Sequence, residues 1–194
     1  KGFDLSIAFN EKDLYGISPN AKRNIGYTVS SIFTPVVVEV VASSDIKAKV
    51  ISDESTGLSG HIEIITSGVI DEYSKVIVLV SNEDEVIMRT IAIEEAGLII
   101  EDNSVRNVPS EGGEITLSFL ANIEFNVVIP QSAQSWIRVI PTTRAMEKHT
   151  VTLAISPNND EGRTATVSVQ ALEGGLHIDY IINQNGASDD STLP

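Results

Sequence analysis

The chain has 194 residues and carries 27 acidic against 13 basic side chains, which gives a net charge of −14. A surface this acidic repels phosphate backbones, so nucleic acid and anionic membrane are excluded as expected partners. The sequence has no cysteine, which excludes a disulfide framework, a thiolate zinc site and a cysteine nucleophile.

The first half of the chain is read as seven short strands, because helical periodicity is nearly absent and period-two patterning recurs. Three of its apolar runs, at 36–41, 62–65 and 76–80, are almost continuously β-branched. Such runs are typical of strands covered on both faces or placed at a domain junction. The polar segment from Ser81 to Glu85 predicts a hairpin loop. The predicted strands lie near residues 3–9, 25–30, 36–42, 46–51, 60–66, 75–81 and 86–94.

The second half predicts seven more strands, each with one apolar and one polar face, as strands of antiparallel sandwiches have. Seven short strands in roughly 95 residues is the immunoglobulin-like number. The sequence therefore predicts an all-β chain of two tandem immunoglobulin-like antiparallel β-sandwich domains, at 1–97 and 98–187, followed by a polar tail at 188–194. No apolar run reaches the length of a membrane-spanning helix, so no direct membrane span is expected. The second set of strands lies near 98–102, 113–119, 125–129, 137–141, 149–155, 164–170 and 176–183.

Three landmarks punctuate the second half: Ser135-Trp136-Ile137, then Asn159-Asp160-Glu161-Gly162-Arg163 leading into Thr164–Val167, then Asn183-Gln184-Asn185-Gly186. In this order and spacing they resemble the BACON family (Bacteroidetes-associated carbohydrate-binding, often N-terminal), immunoglobulin-like modules of Bacteroidetes surface proteins. The resemblance extends over roughly residues 98–187. The first half, with Phe3-Asp4-Leu5 and Met88-Arg89-Thr90, looks like a domain that often precedes BACON modules. The resemblance implies an extracytoplasmic location: at the cell surface, anchored to the outer membrane as a lipoprotein, or secreted.

Several large aromatic residues are candidates either for the core or for ligand binding. Trp136, the sole tryptophan, could be a sugar-stacking platform, but its strand context favours the core between the sheets. We assign Phe119 and Phe125 to the structural core as well; the resemblance implies that the family often has another tryptophan where this chain has Phe125. Tyr15 and Tyr73, in loop-like contexts, are the candidates for ligand binding.

No residue set predicts a metal, a cofactor or catalysis. His61, His149 and His177 are far apart and lack paired-ligand spacing, so they are interpreted as solvated strand residues. Acidic clusters such as Asp71-Glu72 and Glu101-Asp102-Asn103 are interpreted as solvated turns, with a calcium site as the alternative, although no DxDxDG pattern occurs. The chain also lacks a GxSxG elbow, a P-loop and a dinucleotide fingerprint.

These observations favour a non-catalytic accessory module of a larger cell-surface or secreted protein. It would act as a rigid spacer or as a cell-adhesion module. The alternative function is a carbohydrate-binding module for glycans or mucin. Expected partners are glycans or mucin, host or cell-surface proteins, and neighbouring domains of the same polypeptide.

Overall fold

The computed structural model describes residues 4–140 and 147–188. The predicted strand positions Phe3 and Pro141, and the predicted tail beyond Ser188, lie outside the described residues. Within the described residues the chain forms fifteen strands and two short 3-10 turns. It divides into two compact units between Ala96 and Gly97, which we call unit 1 and unit 2.

Unit 1 is a sandwich of a four-stranded and a three-stranded antiparallel sheet. The first sheet has the order β1-β2-β5-β4 and the second has the order β3-β6-β7. This is the strand order of a constant-type immunoglobulin domain. A 3-10 turn, Glu11–Leu14, follows the first strand. The strands are β1 (Ser6–Phe9), β2 (Lys22–Ser30), β3 (Val37–Ala42), β4 (Ile46–Ser52), β5 (Ser59–Thr66), β6 (Lys75–Ser81) and β7 (Val86–Ala92).

The core of unit 1 follows from period-two alternation. Val76, Val78 and Val80 are completely buried on the inner face of β6. They pack with Ile62 and Ile64 of β5, which come from the opposite sheet. Because alternate residues of a strand point to opposite faces, the residues between them face outward.

Unit 2 is a sandwich of two four-stranded sheets. One sheet has the order β12-β13-β10-β8 and the other β11-β14-β15-β9. A 3-10 turn, Gln131–Ala133, precedes β12. The strands are β8 (Leu98–Ile100), β9 (Val105–Val108), β10 (Gly113–Ala121), β11 (Phe125–Val128), β12 (Ile137–Ile140), β13 (Glu147–Ile155), β14 (Arg163–Ala171) and β15 (His177–Gln184).

Tyr180 ties the two sheets of unit 2 together. Its side chain is completely buried on β15, and its hydroxyl donates a 2.8 Å hydrogen bond to the carbonyl of Ser118 on β10. Burial raises the pKa of Tyr180 to about 12, with a further raising contribution from Asp102 and an opposing one from Arg106. The phenol therefore stays neutral and keeps donating over the whole physiological pH range.

The predicted fold class is confirmed: the described chain is all-β and forms two immunoglobulin-like sandwiches. Each of the fourteen predicted strands overlaps one observed strand. The sequence did not predict β9, which pairs in parallel with β15 through Val105 opposite Ile181 and Val108 opposite Gln184. This pairing is the one departure from antiparallel order among the named strands that the structure describes.

Candidate functional site

The three landmarks of the second half meet at one end of unit 2. The guanidinium carbon of Arg163, the first residue of β14, lies 4.3 Å from the centroid of the Trp136 ring. Arg163 Nε donates to Gln184 Oε1 at 2.9 Å, and its Nη2 donates to the carbonyl of Ser156 at 3.1 Å. One cationic side chain thus joins the tryptophan landmark to the glutamine landmark.

Gln184 is the centre of this cluster. Its side chain is 2% exposed. The Nε2 group donates to the carbonyls of Ser156 at 2.9 Å, Pro109 at 3.2 Å and Ser110 at 3.4 Å. Because the amide has two hydrogens, the three carbonyls share them. Gln184 therefore anchors two loops to the end of β15.

Asn158, which directly precedes the second landmark, holds that landmark at the same end of unit 2. It is 3% exposed, and its Nδ2 donates to the carbonyls of Glu161 at 2.8 Å and Asn185 at 3.0 Å. Gly186 provides the close approach, since a Cβ there would lie 2.5 Å from the carbonyl oxygen of Asp160. A side chain at Gly186 would push the two loops apart.

The structure places Trp136 inside this arrangement rather than on an open surface. The residue is 7% exposed and packs with Ala133 and Ile137 in the core cluster of unit 2. Sugar stacking needs an accessible ring face, whereas the guanidinium of Arg163 lies over this ring. The landmark side chains satisfy one another and the backbone, so the cluster's physical role is to hold loops.

The other two predicted core aromatics meet a histidine elsewhere in unit 2. Phe119 is completely buried, and Phe125 is partly buried with its ring edge-on to Phe119 at 4.9 Å between centroids. His149 stacks on Phe119 at 5.7 Å, and its Nε2 lies 3.2 Å from the carbonyl of Ala121. The sequence interpretation of His149 as a solvated strand residue missed this packing, because the contact joins strands distant in sequence.

The two predicted ligand-binding tyrosines belong to separate loops of unit 1. Tyr73 is 70% exposed between β5 and β6, and its backbone N–H donates to Asp71 Oδ1 at 2.8 Å. Tyr15 is partly buried after the 3-10 turn, where its carbonyl accepts from Arg23. Neither tyrosine is among the aromatic ring pairs found in the part of the chain that the structure describes. Tyr73 presents a free ring face, and Tyr15 offers less of one.

Two of the acidic residues considered for calcium form ion pairs with basic side chains. Glu101 forms an ion pair with Lys148 at 2.9 Å, and Asp102 forms one with Arg106 at 2.6 Å. Across residues 4–140 and 147–188, no group of three or more histidine, aspartate or glutamate side chains could hold a metal ion.

The carboxyl group of Asp45, beside the loop that carries Tyr73, has a lowered pKa. Hydrogen bonds from Ser43 and then Ser74 lower the pKa of Asp45, and the smaller effect of burial opposes them. Ser74 is buried and its hydroxyl donates to this carboxylate, while the same hydroxyl accepts from the N–H of Asp71 at 2.9 Å. The arrangement braces the loop that carries Tyr73.

A largely polar sheet surface is a candidate contact region on unit 2. It is the outward face of the β11-β14-β15-β9 sheet, here called the amide-hydroxyl face. Thr164 Oγ1 donates to Asn183 Oδ1 at 3.0 Å, and Asn183 in turn donates to Asn107 at 3.4 Å. The sequence indicated this face through the polar residues that alternate with apolar ones along β14. Its polar members are Asn107, Asn126, Thr164, Thr166, Ser168, Gln170, His177, Asp179 and Asn183, and its apolar members are Val105, Val128 and Ile181.

In the described ranges, no helix has the length and apolar character that crossing a membrane would require.

Comparison with known proteins finds a family match within unit 2. Residues 126–185 match the model of the BACON family, described as "Putative binding domain, N-terminal". The predicted resemblance is thereby confirmed over these residues, which include the tryptophan and arginine landmarks. None of the curated proteins compared with the chain matches it.

Among solved structures, the endo-fucoidan hydrolase MfFcnA9 of glycoside hydrolase family 107 overlaps 95% of this chain with a TM-score of 0.51 and 10% identity. This chain spans 34% of that enzyme's length, and the likeness concerns the fold alone. The titin fragment I67-I69 overlaps 95% of this chain and 66% of its own, at TM-score 0.43 and 9% identity. Domains 4 and 5 of the S-layer protein SbsC overlap 94% of this chain and 100% of their own, at TM-score 0.35 and 11% identity.

Proposed function

We propose that the chain is a non-catalytic module of a larger extracytoplasmic protein and that it acts as a spacer or in adhesion. The observation that carries the proposal is the landmark cluster of unit 2. Arg163, Gln184 and Asn158 direct their polar atoms at each other and at backbone carbonyls. Two of the landmark residues, Arg163 and Gln184, are therefore used with the neighbouring Asn158 to hold the loops of unit 2 in place.

The distribution of large aromatic side chains supports the same proposal. Trp136, Phe119 and Tyr180 are buried in unit 2, and Tyr27 is buried in unit 1. A glycosidase needs a cleft lined by aromatic subsites and converging carboxylates. With these rings in the cores, few are left to build such subsites, which favours a role without catalysis.

The proposal is tested by exposing the whole chain to polysaccharides. We expect no retention on a glycan array carrying mucin-type and plant glycans, and no release of reducing ends from these polymers. Beads coated with the chain should separate the two forms of the proposal, since adhesion predicts attachment to a host-cell or matrix surface. Release of reducing ends that persists in independently purified preparations would contradict a non-catalytic role.

The second candidate function, a glycan-binding module, is favoured by the amide-hydroxyl face. Amide and hydroxyl groups on a sheet surface can pair with sugar hydroxyls, and Ile181, 39% exposed, supplies an apolar contact among them. The family's printed description as a binding domain agrees with this alternative. The exposed ring of Tyr73 provides a separate candidate contact on unit 1.

Matched variants distinguish the two functions. If the face binds glycans, Asn183→Ala should abolish retention on the array, whereas Thr116→Ala, on the outward face of the opposite sheet of unit 2, should leave it intact. Loss of retention in Tyr73→Ala alone would assign binding to unit 1. Absence of retention by the unaltered chain at every glycan would leave the spacer or adhesion role.

A further inference from the structure

The three-stranded sheet of unit 1 exposes apolar side chains on its outer side. Its members, here called the apolar face, come from all three strands and lie in adjacent rows. Val37 shares a row with Val86, Leu79 lies beside Met88, and Val41 lies opposite Ile77. Val37, Val41, Val86 and Met88 are between 51% and 70% exposed, and Ile77 and Leu79 are partly buried.

The sandwich fold does not require this face to be apolar. The core side of the same sheet is already filled, since Val76, Val78 and Val80 point inward and are completely buried. The corresponding sheet of unit 2 presents the amide-hydroxyl face instead. Antiparallel sheets in water normally alternate apolar inward with polar outward residues. β3 and β6 depart from this rule, since their outward residues are apolar except Glu39 on β3 and Lys75 and Ser81 at the ends of β6, so folding alone does not account for them.

The exposure of the face fits a protein interface. Contiguous apolar patches above ~400 Å² are uncommon on monomers and mark interaction sites. Val37, Val41, Val86 and Met88 are each more than half exposed and lie in adjacent rows, as the residues of an interaction patch do. Met88 adds an adaptable side chain of the kind that recurs at binding surfaces.

The acidic and the basic residue of the face can pair with each other between two copies related by a two-fold axis. Glu39 lies on β3 opposite Leu79, and Lys75 lies four residues before Leu79, at the start of β6. Both are exposed. Four strand residues correspond to about 14 Å, which is too far for an ion pair within one copy. When two such sheets pack face to face with opposite strand directions, each Glu39 moves toward the end of the partner's face that carries its lysine.

We propose that a second copy of this chain packs on the apolar face about a two-fold axis, with Glu39 of each copy close to the partner's Lys75. A two-fold axis makes the contact self-complementary and closed, which limits the assembly to a dimer. The face carries one acid and one base, so two copies can meet there without the repulsion expected between other surfaces of a chain of net charge −14. This inference is independent of the spacer, adhesion and glycan proposals.

Sedimentation equilibrium of the whole chain from ~1 µM to ~1 mM measures the dimer Kd directly. We expect a concentration-dependent dimer and a Kd at least ~10-fold higher in Met88→Glu, because the new charge would be buried without a partner. Ile181→Glu is the matched control, since it introduces the same charge at an exposed aliphatic position on the equivalent face of unit 2. Circular dichroism establishes that each variant is folded.

Charge reversal tests the orientation of the two copies. Glu39→Lys and Lys75→Glu should each raise the Kd about 3- to 10-fold at low salt, and the double variant should return it to within ~3-fold of the original. A chain that stays monomeric at ~1 mM overturns the proposal. So does a dimer that Met88→Glu leaves unchanged, or one that Ile181→Glu weakens equally. Charge reversals that add without restoration overturn the two-fold arrangement.

Discussion

Replacing Gln184 by alanine should selectively destabilise unit 2. The substitution removes two amide hydrogens, worth about 1 kcal/mol each, and an acceptor for the charged Arg163, worth about 1.5–3 kcal/mol. Some of the abandoned groups can be rehydrated, because Ser156 and Pro109 are exposed. We therefore expect a loss of about 3 kcal/mol in the free energy of unfolding of unit 2. In a domain of this size that corresponds to a fall in Tm of more than ~12 °C.

Differential scanning calorimetry provides the assay, and unit 1 provides an internal reference. The unit 2 transition should move while the unit 1 transition keeps its temperature, because Gln184 contacts only unit 2 residues in the described hydrogen bonds. Gln170→Ala is the matched control: the same chemical change is made on the exposed face of β14, where the effect should stay within ~0.5 kcal/mol. A Gln184→Ala shift no larger than that of Gln170→Ala would refute the view that the landmark cluster holds unit 2 together.

Three further predictions concern single groups. Because its folded pKa, about 12, is raised above the unfolded value of about 10, Tyr180 contributes stability that is present below pH 10 and lost as the pH rises toward 12. Denaturant titrations across this pH range should show the loss of stability, and the loss with rising pH should be smaller in Tyr180→Phe. Ser74→Ala should raise the pKa of Asp45 toward its ordinary value, which carboxyl NMR titration measures. Because the pKa of Asp45 is lowered in the folded state, its carboxylate stabilises the fold above the unfolded-state pKa, and this stabilisation disappears as the pH falls through the folded-state pKa. Gly112→Ala should destabilise unit 2 far more than Gly175→Ala. Both glycines have positive φ, but a Cβ at Gly112 would lie 2.2 Å from a carbonyl oxygen, whereas Gly175 has open space around it. In chemical denaturation, only Gly175→Ala should keep its loss in the free energy of unfolding near ~1–2 kcal/mol.

Strand positions could be predicted because burial alternates with a period of two. The buried Ala165, Val167 and Val169 on β14 show the rule directly. Strand β9 escaped prediction because Val-Arg-Asn-Val is four residues long and buries fully only Val108. Its partner β15 lies some seventy residues later in the chain, and no local signal specifies a pairing over that distance.

The candidate sites depended even more on contacts between distant residues. Trp136, Arg163 and Gln184 were visible as separate landmarks. Arg163 and Gln184 are cross-strand partners on β14 and β15, whereas Trp136 precedes β12 of the opposite sheet, so the full cluster required the two sheets to pack together. The apolar face had a clearer signal. The almost continuously β-branched run at 36–41 predicted a strand covered on both faces or placed at a domain junction, whereas the structure leaves its outward residues Val37 and Val41 exposed to solvent.

The parallel pairing of β9 with β15 has a mechanical consequence. Force applied between the start of β9 and the end of β15 would slide the two strands past each other. The backbone bonds from Val105 to Val108 would then bear the load together, rather than opening one at a time as at the end of a hairpin. Unit 1 has only an isolated parallel bridge between Ile17 and Glu95 among its described residues. Under tension along the chain, we expect unit 1 to yield first and unit 2 to extend last.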